Sequence, residues 1–118
     1  MNTISKSPIW IWAVTILTAL MFLGAGLAKL AGVEMVHLSF KTMGLPAITG
    51  YIVGALEIAG AIGIFVKPVR FLAALGLLAT SVGAFAYHVA YTPIAEGVPA
   101  LVLIVFTVIL VRFFRTAK

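Results

Sequence analysis

The chain has no cysteine, and only 9% of its 118 residues are charged. Without thiols it cannot carry out thiol–disulfide chemistry, ligate an iron–sulfur cluster through its own sulfur or close a disulfide. Any redox role must therefore use a bound ligand, a diffusible quinone-like molecule or another subunit. Acids are scarcer still, three against eight lysines and arginines. A soluble domain carries about a quarter charged residues and just under half apolar ones. Here 64% are hydrophobic, too many for one small core, so the surplus is expected to face lipid. Motifs are missing too: there is no nucleophile elbow, phosphate loop or dinucleotide fingerprint. The net charge of +5 does not point to nucleic acid, because the basic residues sit at the ends of apolar runs, not among aromatics on a polar surface.

What remains is a set of four apolar runs, at about 9–30, 47–66, 71–90 and 98–114. They predict an all-α fold: one integral membrane domain over 1–118, a four-transmembrane-helix bundle that leaves no room for a soluble domain. The first run is about 22 residues, enough for a hydrocarbon core of roughly 30 Å. Lys6 before an apolar stretch and the Gly26-Leu-Ala28 triplet also suit a cleaved signal peptide. Signal cores are about 7–15 residues, so a retained helix is expected. Trp10 and Trp12 mark its entry, where indoles prefer the interface. Between the first two runs, Val33, Val36, Phe40 and Met43 fall on one helical face and Glu34, His37 and Lys41 on another. That pattern predicts a short amphipathic helix along the interface, stopped by Gly44 and Pro46; a plain surface loop is its alternative.

With four spans, Lys6, Lys67, Arg70, Arg112, Arg115 and Lys118 share one side. The other side holds Glu34, His37, Lys41 and Glu96, with Lys29 at its boundary. The positive-inside rule then puts both termini in the cytoplasm.

The second run carries one carboxylate, Glu57, on the same helical face as Gly50, Gly54, Gly60 and Ala61. A neighbouring helix can approach such a face closely, and an intramembrane acid is by default a functional site with a partner. Lys29 emerges from a small-residue stripe with Phe22, Ala25 and Gly26, and His88 follows Ser81 and Ala84 along the third run. A Lys29–Glu57–His88 cluster, open to the outer face, is the expected ligand-binding or proton-exchanging site; His37, Ser81 and Tyr87 are secondary candidates. Three blander readings stand beside it. Lys29 snorkels to the headgroups, His88 is an interfacial histidine, or a lone salt bridge only sets helix pairing. No metal or haem site is expected, since the two histidines and the acids lack local ligand spacing.

The ordered set Phe22-Leu-Gly-Ala-Gly-Leu-Ala-Lys-Leu30, Met43-Gly-Leu-Pro46, Gly54-Ala-Leu-Glu-Ile-Ala-Gly-Ala-Ile-Gly63, Ala73-Ala-Leu-Gly-Leu77 and Gly83-Ala-Phe-Ala-Tyr-His88 resembles the DoxX-like family of small four-helix membrane proteins. The resemblance spans nearly the whole chain, and the matching positions it carries over are Lys29, Glu57 and His88. It implies a bacterial cytoplasmic-membrane protein with a distant link to the membrane subunit of a thiosulfate:quinone oxidoreductase. Quinones, and sulfur or oxidative-stress metabolism, follow from that link. Cysteine-dependent roles within the family cannot apply to a chain without cysteine.

The leading expectation is an accessory or ligand-binding component of a quinone-linked redox or envelope-stress process. It would carry no cofactor within the chain, and would bind a quinone or lipid. Its partners would be membrane lipid, an apolar ligand and either a redox subunit or further copies of itself, with no nucleic acid. A small proton-coupled exporter resembling small multidrug resistance proteins is the first alternative. There, however, the acid lies in the first span beside an aromatic-rich pocket. An acid–base isomerase acting on an isoprenoid or sterol is the second; the residue types allow it and the spacing does not require it.

Overall fold

The computed structural model describes residues 8–116, and these are almost entirely helical. Lys6 and Lys118, counted in the charge asymmetry, lie outside the described residues. Five α-helices follow in order: α1 (Ile9–Leu30), α2 (Glu34–Thr42), α3 (Thr49–Gly63), α4 (Arg70–Tyr91) and α5 (Val98–Thr116). Single 3-10 turns, Lys67–Val69 and Ile94–Gly97, lead into α4 and α5.

The breaks are where the chemistry of the chain puts them. Gly32 and Gly44 take φ 78°, the left-handed conformation that favours glycine. At the end of α1, Gly32 N donates to Lys29 O (3.1 Å) and Val33 N to Ala28 O (3.1 Å). At the end of α2, Gly44 N donates to Lys41 O (2.9 Å) and Leu45 N to Phe40 O (3.0 Å). Both are Schellman closures that satisfy the last carbonyls of a helix. Pro68 sits in the turn before α4, and Pro99 in the first turn of α5, where no amide donor is required.

Three helical segments are long and apolar enough to cross a membrane: Ile9–Leu30, Lys67–Tyr91 and Ile94–Thr116. The second apolar run behaves differently. It was expected to be helical over 47–66, but α3 has 15 residues, about 22 Å of helix, short of a ~30 Å hydrocarbon core. The run ends early because Phe65 N and Val66 N turn back to Ile62 O and Gly63 O (both 3.0 Å), preparing the turn at Lys67. The amphipathic segment does form a helix, α2, and none of its residues is fully buried.

α1 packs chiefly against α3, and α4 against α5, with α3 against α4 joining the two pairs. Each pair is antiparallel. Gly26 opposes Gly54 and Ile58 at one end of α1, and Trp12 stacks on Phe65 at the other, with ring centroids 6.4 Å apart. Between α4 and α5, Gly97 meets Phe85 and His88, and the Arg70 guanidinium lies 5.0 Å over the Phe114 ring. The molecule measures 45 × 26 × 18 Å, and its long axis matches a bilayer with headgroups, ~40–45 Å.

The interior is divided along that axis. Towards the Trp12 end it is apolar, built from Phe22, Ala61, Ile64, Ala74, Leu77, Leu110 and Phe114. Towards the Lys29 end it is glycine and charge. Large apolar side chains cover the outside instead, Leu20, Leu56, Leu72 and Ile62 among them, as a lipid-facing surface requires. Three buried hydroxyls are returned to their own helices: Thr15 donates to Ile11 O (2.7 Å), Ser81 to Leu77 O (2.8 Å) and Thr107 to Leu103 O (2.7 Å).

The α1–α3 approach depends on two glycines. A Cβ on Gly26 would lie 2.7 Å from Ile58 Cγ1 and 2.8 Å from Gly54 O. One on Gly54 would lie 2.7 Å from Lys29 Cβ and 3.0 Å from Gly26 O. The obstacles are largely backbone and cannot swing aside. Gly26→Ala is therefore expected to lower stability in detergent by about 1–3 kcal/mol through overpacking. Gly83→Ala, where a Cβ meets nothing within 4 Å, should leave the melting temperature unchanged or raise it. Equal melting temperatures for the two variants would refute the close-packing account.

A buried ion pair between α1 and α3

Lys29 is the last-turn lysine of α1 and is only 9% exposed; Glu57, in the middle of α3, is 3% exposed. Lys29 Nζ stands 2.9 Å from Glu57 Oε1. The geometry follows from helix chirality. Every Cα–Cβ bond tilts towards the N-terminus of its helix, so Lys29 is directed back into the bundle and Glu57 up towards the Lys29 end. Antiparallel packing makes the two tilts converge. Snorkelling would need the opposite inclination, and Lys29 does not do it.

The pair sits in a cleft made by missing side chains. The buried residues of α3 are Gly50, Gly54, Glu57, Gly60, Ala61 and Gly63, a face with one functional group on it. The Lys29 stem passes over Gly54, whose absent Cβ leaves it room. Charge compensation is close: at 2.9 Å the ammonium is within hydrogen-bonding distance of Oε1, and no other group meets the carboxylate among the described residues. Thr18 Oγ1, on the same buried stripe of α1, has no hydrogen-bond partner among the described residues. Buried polar atoms without partners are uncommon in folded proteins.

The other candidates fall in different places. His37, in α2, donates from Nε2 to Lys29 O at 2.7 Å, because a carbonyl can only accept. Its ring lies over Gly50, where a Cβ would collide with it, and packs on Tyr51 with centroids 4.4 Å apart. His37 thus attaches α2 to the ends of both α1 and α3. Nothing in the spacing of residues 31–46 marks that role; the glycine at position 50 is its one trace in the sequence.

His88 is near the far end of α4 and interacts with Thr92 Oγ1 through Nδ1 at 2.9 Å. Tyr87 packs edge-on against it and stacks on Tyr91, both with centroids 5.3 Å apart. Gly60 faces Leu77 and Gly63 faces Ala73, and this register sets Ser81 about level with Glu57. His88 is seven residues further on, ~10 Å nearer the end of the bundle. Lys29 and Glu57 are brought together; His37 touches the backbone of Lys29, and His88 and Tyr87 form a separate group with Thr92. On the stripe Gly76–Thr80–Gly83, a Cβ at Gly76 or Gly83 would meet nothing within 4 Å, and Gly76 and Thr80 border an open groove beside Leu56 and Gly60 of α3. No group of three or more potential metal ligands occurs among the described residues.

The DoxX-like family model matches residues 13–111, which takes in α2, α3 and α4, most of α1 and α5, and both residues of the ion pair. The chain belongs to the DoxX-like family, a class of membrane-associated proteins. Searches of curated proteins and of solved structures returned no match.

Removing one partner leaves an unpaired buried charge, a loss of about 3–5 kcal/mol, whereas replacing both by apolar residues is often neutral. Lys29→Met alone should sharply lower the melting temperature, and Lys29→Met with Glu57→Leu should recover most of the loss. A double variant no more stable than the single one would show that the two charges are not coupled.

Proposed function

We propose that this protein is a four-span integral membrane component that binds an apolar ligand with a polar end, such as a quinone, in support of a redox or envelope-stress process. The four-span reading is supported by the pairing of α3 with α1. Gly54 lies at the level of Lys29 and Phe65 stacks on Trp12. Together with its following turn, α3 thus travels the same thickness as residues 12–29 of α1, about 26 Å. A modest mismatch of this size is accommodated by thinning or tilt. The cations Lys67, Arg70, Arg112 and Arg115 lie towards the Trp12 end, which favours that end, and both termini, on the cytoplasmic side.

One observation carries the ligand reading: the Glu57 carboxylate is buried and, although it can accept several hydrogen bonds, meets only the Lys29 ammonium among the described residues. A ligand hydroxyl would supply a further donor, and Lys29 would keep the carboxylate charged. A quinone brings two-electron, two-proton chemistry that the cysteine-free chain lacks. The chain's own part is to hold the polar end, to exclude water from it and to accept or return a proton at Glu57. The ammonium 2.9 Å from Glu57 weighs against export of cationic compounds, since it repels such cargo.

A short-tailed ubiquinone analogue should raise the melting temperature of the detergent-purified protein saturably. Glu57→Gln should weaken the response about tenfold, as expected for loss of a hydrogen bond to a charged group. Absence of any response in the native protein to ubiquinone or menaquinone analogues would reject the reading. The span count has its own test, because no native thiol competes for label. A membrane-impermeant maleimide should reach Thr42→Cys in intact cells, and Lys67→Cys only after lysis. Labelling of both from the same side would mean that α3 does not cross.

A further inference from the structure

A cavity lies at the Lys29 end, under α2, away from the buried ion pair. It encloses about 590 Å³, and its lining includes Glu34, His37, Lys41, Tyr51, Leu38 and Leu45. A volume of this size suits a small amphiphile or the head and upper chain of a lipid. Its wall is held in place: α2 has no fully buried residue, and His37 fastens it through Lys29 O and Tyr51.

Two charges of opposite sign line this cavity, Glu34 in the first turn of α2 and Lys41 in the last. Among the described residues neither has an ion-pair or hydrogen-bond partner. Their signs suit the dipole of α2. The dipole, however, does not require both to face one cavity. They do so because seven residues make two turns and return to the same face. The spacing keeps them ~10.5 Å apart along the helix, too far for Glu34 and Lys41 to satisfy one another directly. An anion and a cation held apart on one wall complement a molecule that carries its own ammonium and phosphate. Leu38 and Leu45, beside the charges, suit acyl chain, and in the four-span reading proposed above, on which this step rests, the bundle end places the cavity at headgroup depth.

We infer that the cavity under α2 is a headgroup site for a phosphoethanolamine lipid, its ammonium on Glu34 and its phosphate on Lys41. The site is separate from the Glu57 pair and does not depend on what binds there. A phosphocholine head carries no N–H to give Glu34, and a phosphoglycerol head has no cation, so both fit less well.

The test uses the full-length protein in detergent, titrated with dihexanoyl phosphoethanolamine, phosphocholine or phosphoglycerol and read by native mass spectrometry. The native protein should bind the phosphoethanolamine lipid about fivefold tighter than either of the others, the factor of a partly exposed ion pair. Lys41→Gln should weaken all three to a similar extent. Glu34→Gln should remove the preference for phosphoethanolamine while leaving phosphoglycerol binding intact. Both residues are exposed, so melting temperatures should be unchanged. Equal binding of the three lipids by the native protein would overturn the inference without recourse to any variant, as would tightest binding of phosphoglycerol. A phosphoethanolamine preference that survives both substitutions would place the lipid elsewhere and overturn the site.

Discussion

Everything at one end of this bundle depends on a single electrostatic constraint, a lysine and a glutamate that must meet inside a helix pair. Between membrane helices there is no hydrophobic gain from association, because lipid is as apolar as leucine; close packing and polar contacts must supply the attraction. The α1–α3 pair uses both. Gly26 and Gly54 bring the backbones together, and that proximity puts Lys29 within reach of Glu57. The ion pair in turn makes the register costly to change, since a shift of one residue would strand two charges in a low-dielectric interior.

The division of the interior follows from the same constraint. Near the Trp12 end, Phe22, Leu77, Leu110 and Phe114 fill the volume with side chains. Near the Lys29 end the helices meet over glycine, so little apolar mass is present. The register there is held by the ion pair, and His37 fixes α2 to the end of α1 through the Lys29 carbonyl. Lys29 therefore contributes twice, its side chain to the buried pair and its backbone oxygen to the anchoring of α2. Residues next to the functional candidates are thus the same ones that hold this end of the fold together.

Much of the architecture was legible in the chain. Apolar runs, proline and glycine breaks and the period of α2 predict helices close to those observed, and membership of the DoxX-like family agrees with the motif order read from the chain. The early end of α3 was not legible, because the run from Gly63 to Val66 stays apolar and only the turn that prepares Lys67 ends the helix. Nor was the open space beside Gly76 and Gly83: small residues mark a face of low bulk, and the sequence does not say whether a helix or lipid covers it.

Composition by itself determined that this chain belongs against lipid and that thiol chemistry is closed to it. Glycine spacing determined which face of α3 is bare around Glu57. Which cation Glu57 meets was decided only by tertiary structure, since periodicity places a residue on a face of its own helix and carries no information about the neighbour or its register. Antiparallel packing of α1 on α3 turned Lys29 inward, left His88 with Thr92 and carried His37 onto the backbone of Lys29.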